Sequence, residues 1–176
     1  MTKGKTDMSE QNLRIRDANL DDLPKIVEIY NSSIPGQLAT ADLQEVTVES
    51  RLKWFHEHNA HQRPLWVLEE GGTIVGWLSF QSFYGRPAYD ATAEVSIYLD
   101  PSAHGKGYAR VLMERAIAQC PELGLKTLLA FVFGHNSPSI KLFENYNFER
   151  WAHLPRIANM DGVERDLVIL GKRVCE

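Results

Sequence analysis

The chain has 176 residues, 44% of them hydrophobic and 24% charged, and carries a formal net charge of −4. Those values describe one globular domain with a core of moderate size. They exclude a nucleic-acid binder held by bulk positive charge, so any anion site must be local.

Residues 1–12, "MTKGKTDMSEQN", lack the apolar core of a secretory signal and read as a short disordered leader. Residues 13–18 alternate apolar and polar and predict a first strand. A helix follows, with Asn19 as its cap, Asp21 and Asp22 at its positive end, and Leu23, Ile26, Val27 and Tyr30 on one face. Pro35 and Gly36 break the pattern. Residues 46–60, "VTVESRLKWFHEHNA", predict a second helix whose apolar residues are Leu52, Trp54 and Phe55. Residues 65–69 and 73–83 read as strands flanking Gly71 and Gly72, a hairpin signal.

"TAEVSIYLD" predicts a further strand, with Val95, Ile97 and Leu99 on one face and Glu94, Ser96 and Tyr98 on the other. A helix is expected from about Gly107 to Cys120, stopped by Pro121. "LKTLLAFVF" is an apolar strand expected to be buried on both faces. "NSPSIKLFENYNF" predicts a helix capped by Asn136 and stopped by a left-handed Asn147. Two last strands, 149–154 and 165–174, are joined through Asp161 and Gly162. This order implies an α+β fold: a central mixed, mostly antiparallel twisted sheet with helices on both faces.

Cys120 and Cys175 form no CxxC pair, so neither a disulfide framework nor a metal site is expected, and a cytoplasmic location is the default. His56, His58 and His61 lack metal-ligand geometry and read as surface residues. No apolar run reaches the length that spans a bilayer, so no membrane partner is expected.

Residues 104–109, "HGKGYA", link strand to helix. They fit neither G-x-x-x-x-G-K-S/T nor G-x-G-x-x-G, since Arg110 stands where the second pattern requires its last glycine. Glycines let backbone N–H groups approach an anion, a helix N-terminus adds donors, and His104, Lys106 and Arg110 add local positive character. A phosphate or pyrophosphate would suit such a loop. On the residues alone, a glycine turn opening a surface helix explains the pattern equally well.

The segment "LDPSAHGKGYARVLMERAI" resembles the coenzyme A signature of the GNAT superfamily of N-acetyltransferases, Q/R-x-x-G-x-G/A, with His104 where Gln or Arg is usual. "NSPSIKLFENYNF" is similar to the later motif of that superfamily. "IYNSSI", "RPAYDATAEVSIYLDP" and "NSPSIKLFE" resemble its phosphinothricin and methionine sulfoximine acetyltransferase branch. The resemblance covers roughly residues 13–170 and implies a single acetyltransferase domain over residues 13–176.

Under that resemblance acetyl-CoA is the co-substrate. Ile97, Tyr98 and Leu99 run beside its pantetheine arm, and His104, Gly105, Lys106, Gly107, Tyr108, Ala109 and Arg110 hold its pyrophosphate. Asn136 and Ser139 complete the contacts. Leu99 N–H is the expected oxyanion donor, which requires unpaired backbone and hence a bulge near Leu99. Glu94 is the expected general base; without the resemblance it reads as a solvent-facing strand glutamate. Tyr84, Gly85 and Arg86, with Glu94, Val95 and Ser96, are expected at the acceptor, Arg86 pairing its carboxylate.

Phe143 departs from the family pattern, since many members place a tyrosine there to protonate the leaving thiolate. Water, Tyr146 or unassisted departure would replace it. The expected reaction is acetylation of the α-amine of a small amino-acid analogue such as methionine sulfoximine, methionine sulfone or phosphinothricin. The alternatives are acetylation of a protein N-terminus or a polyamine, or a module that binds acetyl-CoA without turnover. Related enzymes pair as homodimers, so a homodimer is expected, and no nucleic acid.

Overall fold

The computed structural model describes residues 12–176. The expected leader, as far as residue 11, lies outside the described residues.

Seven strands form one sheet: β1 (Leu13–Asp17), β2 (Leu65–Glu70), β3 (Thr73–Ser82), β4 (Thr92–Leu99), β5 (Thr127–Phe133), β6 (Glu149–Met160) and β7 (Val163–Arg173), in the order β1-β2-β3-β4-β5-β7-β6. Every neighbouring pair is antiparallel except β4–β5. The hairpins follow from their turns. Gly71 and Gly72 both have positive φ, as do Asp161 and Gly162, which supplies the left-handed backbone that tight turns require.

Among the described residues four helices cover the sheet: α1 (Leu23–Ser32), α2 (Leu52–His56), α3 (Tyr108–Gln119) and α4 (Ser137–Asn145). On one face the main core gathers Leu78, Phe80, Val95 and Leu128 of the sheet with Leu112 and Met113 of α3 and Ile140 and Phe143 of α4. On the other face a smaller core joins Leu23, Ile26, Val27 and Ile29 to Leu65, Val67 and Trp77. The Trp77 indole donates to the Ile26 carbonyl at 3.0 Å, tying α1 to β3.

The second helix is much shorter than its sequence implies. A 3₁₀ turn, Glu49–Arg51, leads into the single stretch Leu52–His56. Half-burial separates His58 from the surface role expected of it: its ring packs edge-on against Trp54 and its Nδ1 meets the Trp54 carbonyl at 2.8 Å. β6 runs well past its expected end, carrying irregularities at Arg150/Ala152 and Leu154/Ala158 that the period-2 pattern hides.

Candidate active site

The joint between β4 and β5 is short. Only three pairs are in register, Thr92↔Thr127, Ala93↔Leu128 and Glu94↔Leu129, after which the two strands part. Opposite it, the β3–β4 ladder continues unbroken from Ser82↔Ala93 to Gly76↔Leu99. The expected bulge near Leu99 is therefore absent. β4 keeps regular pairing on one side, and its other edge opens because β5 diverges.

The alternation of a strand identifies which groups face the gap. Asp100 N–H donates to Val75 of β3 at 2.8 Å, and Thr127 N–H donates to Ala91 at 3.1 Å. Even-numbered positions of β4 thus pair with β3, and odd-numbered ones face β5. Past Glu94 the odd positions Ile97 and Leu99 turn their N–H groups into the wedge with no ladder partner among the described residues.

At the wide end of the wedge lies the glycine loop. Gly105 and Gly107 have φ of 76° and 81°, and a Cβ on either would meet no atom within 4 Å. Their backbone is open to an approaching anion, and α3 begins at the next residue, Tyr108. His104 Nε2 lies 3.2 Å from the Leu99 carbonyl oxygen. Lys106 Nζ stands 3.7 Å from a Glu70 carboxylate oxygen, and the buried Tyr108 donates to the same carboxylate at 2.5 Å. Arg110 is exposed beside Tyr146, whose hydroxyl donates to Glu114 at 2.8 Å. Tyr146 therefore packs on the outer surface of α3. Phe143 is buried edge-on against Phe148 and offers no proton.

On the α1–α2 face a cavity of about 180 Å³ abuts β4 along the stretch where it leaves β5. Its floor is three directly opposed pairs of β3 and β4: Trp77 with Tyr98, Ser79 with Ser96, and Gln81 with Glu94. Its walls are Ile26, Val27 and Tyr30 of α1, Val46, Arg51, and Trp54 of α2. Trp77 and Tyr98 stack at 4.7 Å, and Tyr30 meets Tyr98 edge-on at 5.1 Å. Burial alone pushes the Glu94 carboxyl above the usual carboxylate range. Desolvation also raises the Tyr98 phenol, which donates to the Ala39 carbonyl at 3.1 Å.

The segment from Gln37 to Thr40 crosses the mouth of the wedge. Asn136 Nδ2 donates to the Leu38 carbonyl at 3.2 Å, while its Oδ1 caps α4 by accepting from Ser139 N–H at 3.2 Å. Tyr98 holds Ala39 from the β4 side, and the Tyr30 hydroxyl lies 2.6 Å from Thr40 Oγ1.

The structure thus brings Glu94, Ser96 and Tyr98 together in the cavity, and Ile97 and Leu99 together on the wedge. It turns Val95 into the main core, away from any acceptor. Tyr84, Gly85 and Arg86 do not join them in this chain. They occupy the exposed β3–β4 loop, where Tyr84 is 78% exposed and meets Phe83 edge-on and Tyr89 at a tilt. The Arg86 side chain has no partner among the described residues, and its carbonyl closes a 3₁₀ turn by accepting from Tyr89 N–H. The sequence reading missed Tyr30, Arg51, Trp54 and Gln81, which reach the cavity only through the packing of α1 and α2 on β3–β4. Among the described residues no group of acids, histidines or cysteines is arranged to hold a metal. No described helix is long and apolar enough to cross a membrane.

Known proteins resemble this chain in sequence and in fold. The model of the family described as "Acetyltransferase (GNAT) family" matches residues 23–148. The chain is 48% identical to the "Putative phosphinothricin acetyltransferase YwnH" of Bacillus subtilis, over 92% of this chain and 99% of that one. It is 29% identical to the L-methionine sulfoximine/L-methionine sulfone acetyltransferase of Salmonella typhimurium, over 90% of this chain and 92% of that one. Its fold matches the crystal structure of a phosphinothricin acetyltransferase from Sinorhizobium meliloti in complex with acetyl-CoA. That match has a TM-score of 0.85 at 28% identity and covers 92% of this chain and 88% of that one. With the family matched over most of its length and a close relative matched almost end to end, the chain belongs to the GNAT family and is an N-acetyltransferase.

Proposed function

We propose that the protein transfers the acetyl group of acetyl-CoA to the α-amine of a small amino-acid analogue of the methionine sulfoximine, methionine sulfone or phosphinothricin kind. The observation that carries this reading is the contact between the cavity on the α1–α2 face and the stretch of β4 that parts from β5. An acceptor in the cavity and a thioester in the wedge would share one strand.

The residues fit the donor. The glycine loop and the start of α3 supply backbone donors for the pyrophosphate, with Lys106 as a local cation. Ile97 and Leu99 N–H groups, unmatched by β5, are available to the pantetheine arm and to the thioester oxygen as negative charge develops on it. Glu94, on the cavity floor, takes the proton from the α-ammonium, directly or through water. An α-ammonium has a reference pKa of about 8, so a carboxylate suffices near neutral pH. Phe143 cannot protonate the departing thiolate; thiols ionise near pKa 8.5, and departure without an acid is chemically tolerable.

The cavity's size and its cation at Arg51 favour a small carboxylate-bearing acceptor over a polypeptide or a polyamine. Thiol release with acetyl-CoA and a panel of free amino acids, their sulfone and sulfoximine analogues, peptides and polyamines tests the reading. The small analogues should react fastest; faster acetylation of peptides or polyamines would replace it.

We also propose a homodimer. On the face opposite α3 and α4, no described helix covers the β5–β7–β6 half. Phe131, Leu154, Leu167 and Ile169 remain only partly buried, and Trp151 is 46% exposed. Light scattering that gives twice the chain mass supports this; a fully active monomer refutes it.

A further inference from the structure

The cavity holds one acidic and one basic side chain, and they do not meet. Glu94 lies at the end of the floor marked by Gln81. Arg51 lies at the other end, its guanidinium 4.8 Å above the ring of Tyr30, which itself touches Tyr98. Three residues of β4 lie between Glu94 and Tyr98, with Ser96 at the middle of them on the same face.

We propose that Arg51 determines acceptor specificity by receiving the acceptor's α-carboxylate. This rests on the amino-acid acetylation proposed above and assigns the group in the acceptor that the enzyme reads. An amine that reaches the open edge of β4 sits over Ser96 and Tyr98, beyond Glu94. Its carboxylate is one carbon away and projects toward the Tyr98 end, where Arg51 is. The side chain of the acceptor is left to the aromatic and aliphatic walls.

Arg51 is built for this task. Its Nη2 donates to Asp42 at 3.1 Å, and Nε and Nη1 have no protein partner among the described residues. Asp42 also accepts from the Tyr30 hydroxyl, so the carboxylate that orients Arg51 is itself fixed to α1. The guanidinium is thereby held over an aromatic ring, with donors left for a two-oxygen anion. Burial pushes Glu94 above its usual range with no contribution from Arg51, which agrees with the two charges being too far apart to neutralise each other. Separated opposite charges in one cavity complement a zwitterion. Arg86, exposed in the β3–β4 loop, has no such placement in this chain.

The test compares methionine sulfone with its methyl ester as acceptors, in wild type, Arg51→Met, Arg51→Lys and Arg86→Ala. The wild type should strongly prefer the free acid. Arg51→Met should raise KM for the acid on the order of 10- to 100-fold, the loss expected of a charge-assisted pair. The ester should be little affected, so the preference collapses. kcat should fall less than KM rises, and acetyl-CoA affinity by calorimetry should stay at the wild-type value. Arg51→Lys, which keeps the charge and loses the fork, should fall between and provides the reading if Arg51→Met folds poorly. Equal use of acid and ester by the wild type overturns the assignment and leaves the substrate class standing. Loss of the preference in Arg86→Ala rather than in the Arg51 variants overturns it in favour of the loop. A wild type that binds acetyl-CoA yet acetylates neither compound overturns both this inference and the function it rests on.

Discussion

Gly76 stands directly opposite Leu99 in the β3–β4 ladder, and a Cβ on it would lie 2.6 Å from Leu99 Cδ2 and 3.1 Å from the Tyr98 carbonyl oxygen. The close approach follows from the irregularity one residue away, where Val75 is the extra residue between the Leu68↔Gly76 and Glu69↔Ile74 pairs. Glycine at this position lets the end of β4 lie flat against β3 while its other edge faces the wedge. Gly76→Ala should shift Leu99 and destabilise the fold by about 1–3 kcal/mol, the usual cost of overpacking. Turnover should fall more than acetyl-CoA affinity. Thermal melts with kinetics at saturating acetyl-CoA check this.

Glu94→Gln keeps the size of the side chain and removes the base. Turnover should drop by roughly 10²-fold or more. Because burial raises the Glu94 carboxyl above the usual carboxylate range, the wild-type rate should climb with pH through that raised value, and the variant should lose this limb. The stability effect has the opposite sense. A carboxyl whose folded pKa exceeds its unfolded one stabilises the native state fully only below the unfolded value, and that contribution is lost as pH rises through the folded one. Glu94→Gln should therefore raise Tm near neutral pH and change it little in acid.

Lys106 is held near the Glu70 carboxylate when nothing else engages it. Glu70→Gln should release it for a phosphate and tighten acetyl-CoA binding up to about fivefold, consistent with ~1 kcal/mol at most for an exposed pair. The gain should shrink as salt is added. Calorimetry at low and high ionic strength measures both, and equal affinities would mean that Lys106 takes no part in the pyrophosphate site.

Gly107→Val meets no steric obstacle, since nothing lies within 4 Å of the new Cβ. The cost comes from φ of 81°, which a β-branched residue tolerates poorly. A loss of about 1–3 kcal/mol is expected if the turn is kept. A turn that relaxes should instead withdraw its N–H groups and weaken acetyl-CoA binding. Melting and calorimetry on one preparation separate the two outcomes.

Strands, hairpins and the glycine loop were legible in the sequence because each depends on local rules: period-2 alternation, positive-φ turn residues, and a glycine pair before a helix. The cap at Asn136 and the left-handed Asn147, with φ of 63°, were readable for the same reason. The cavity on the α1–α2 face was not. Arg51 and Trp54 read as parts of a longer amphipathic helix, yet the helical stretch is so short that their placement comes from tertiary packing against Tyr30 and Trp77. Arg86 looked suited to a carboxylate by its type and its nearness to β4, and chain proximity did not bring it to the floor. The opening at Leu99 was anticipated for the wrong reason, because the divergence of β5 leaves no mark in the sequence of β4.

The bonds that Leu38 and Ala39 accept have a mechanical meaning. β4 and β5 meet at Glu94 and Leu129 and spread from there, and the Gln37–Thr40 segment is fastened to Tyr98 on one arm and to Asn136, just past the end of the other. Two struts joined at an apex and tied across their open ends make a triangular truss. Such a frame is braced without a guest inside it, and widening the opening strains the two hydrogen bonds of the tie. The tie must be unfastened at one end before the arms can spread further.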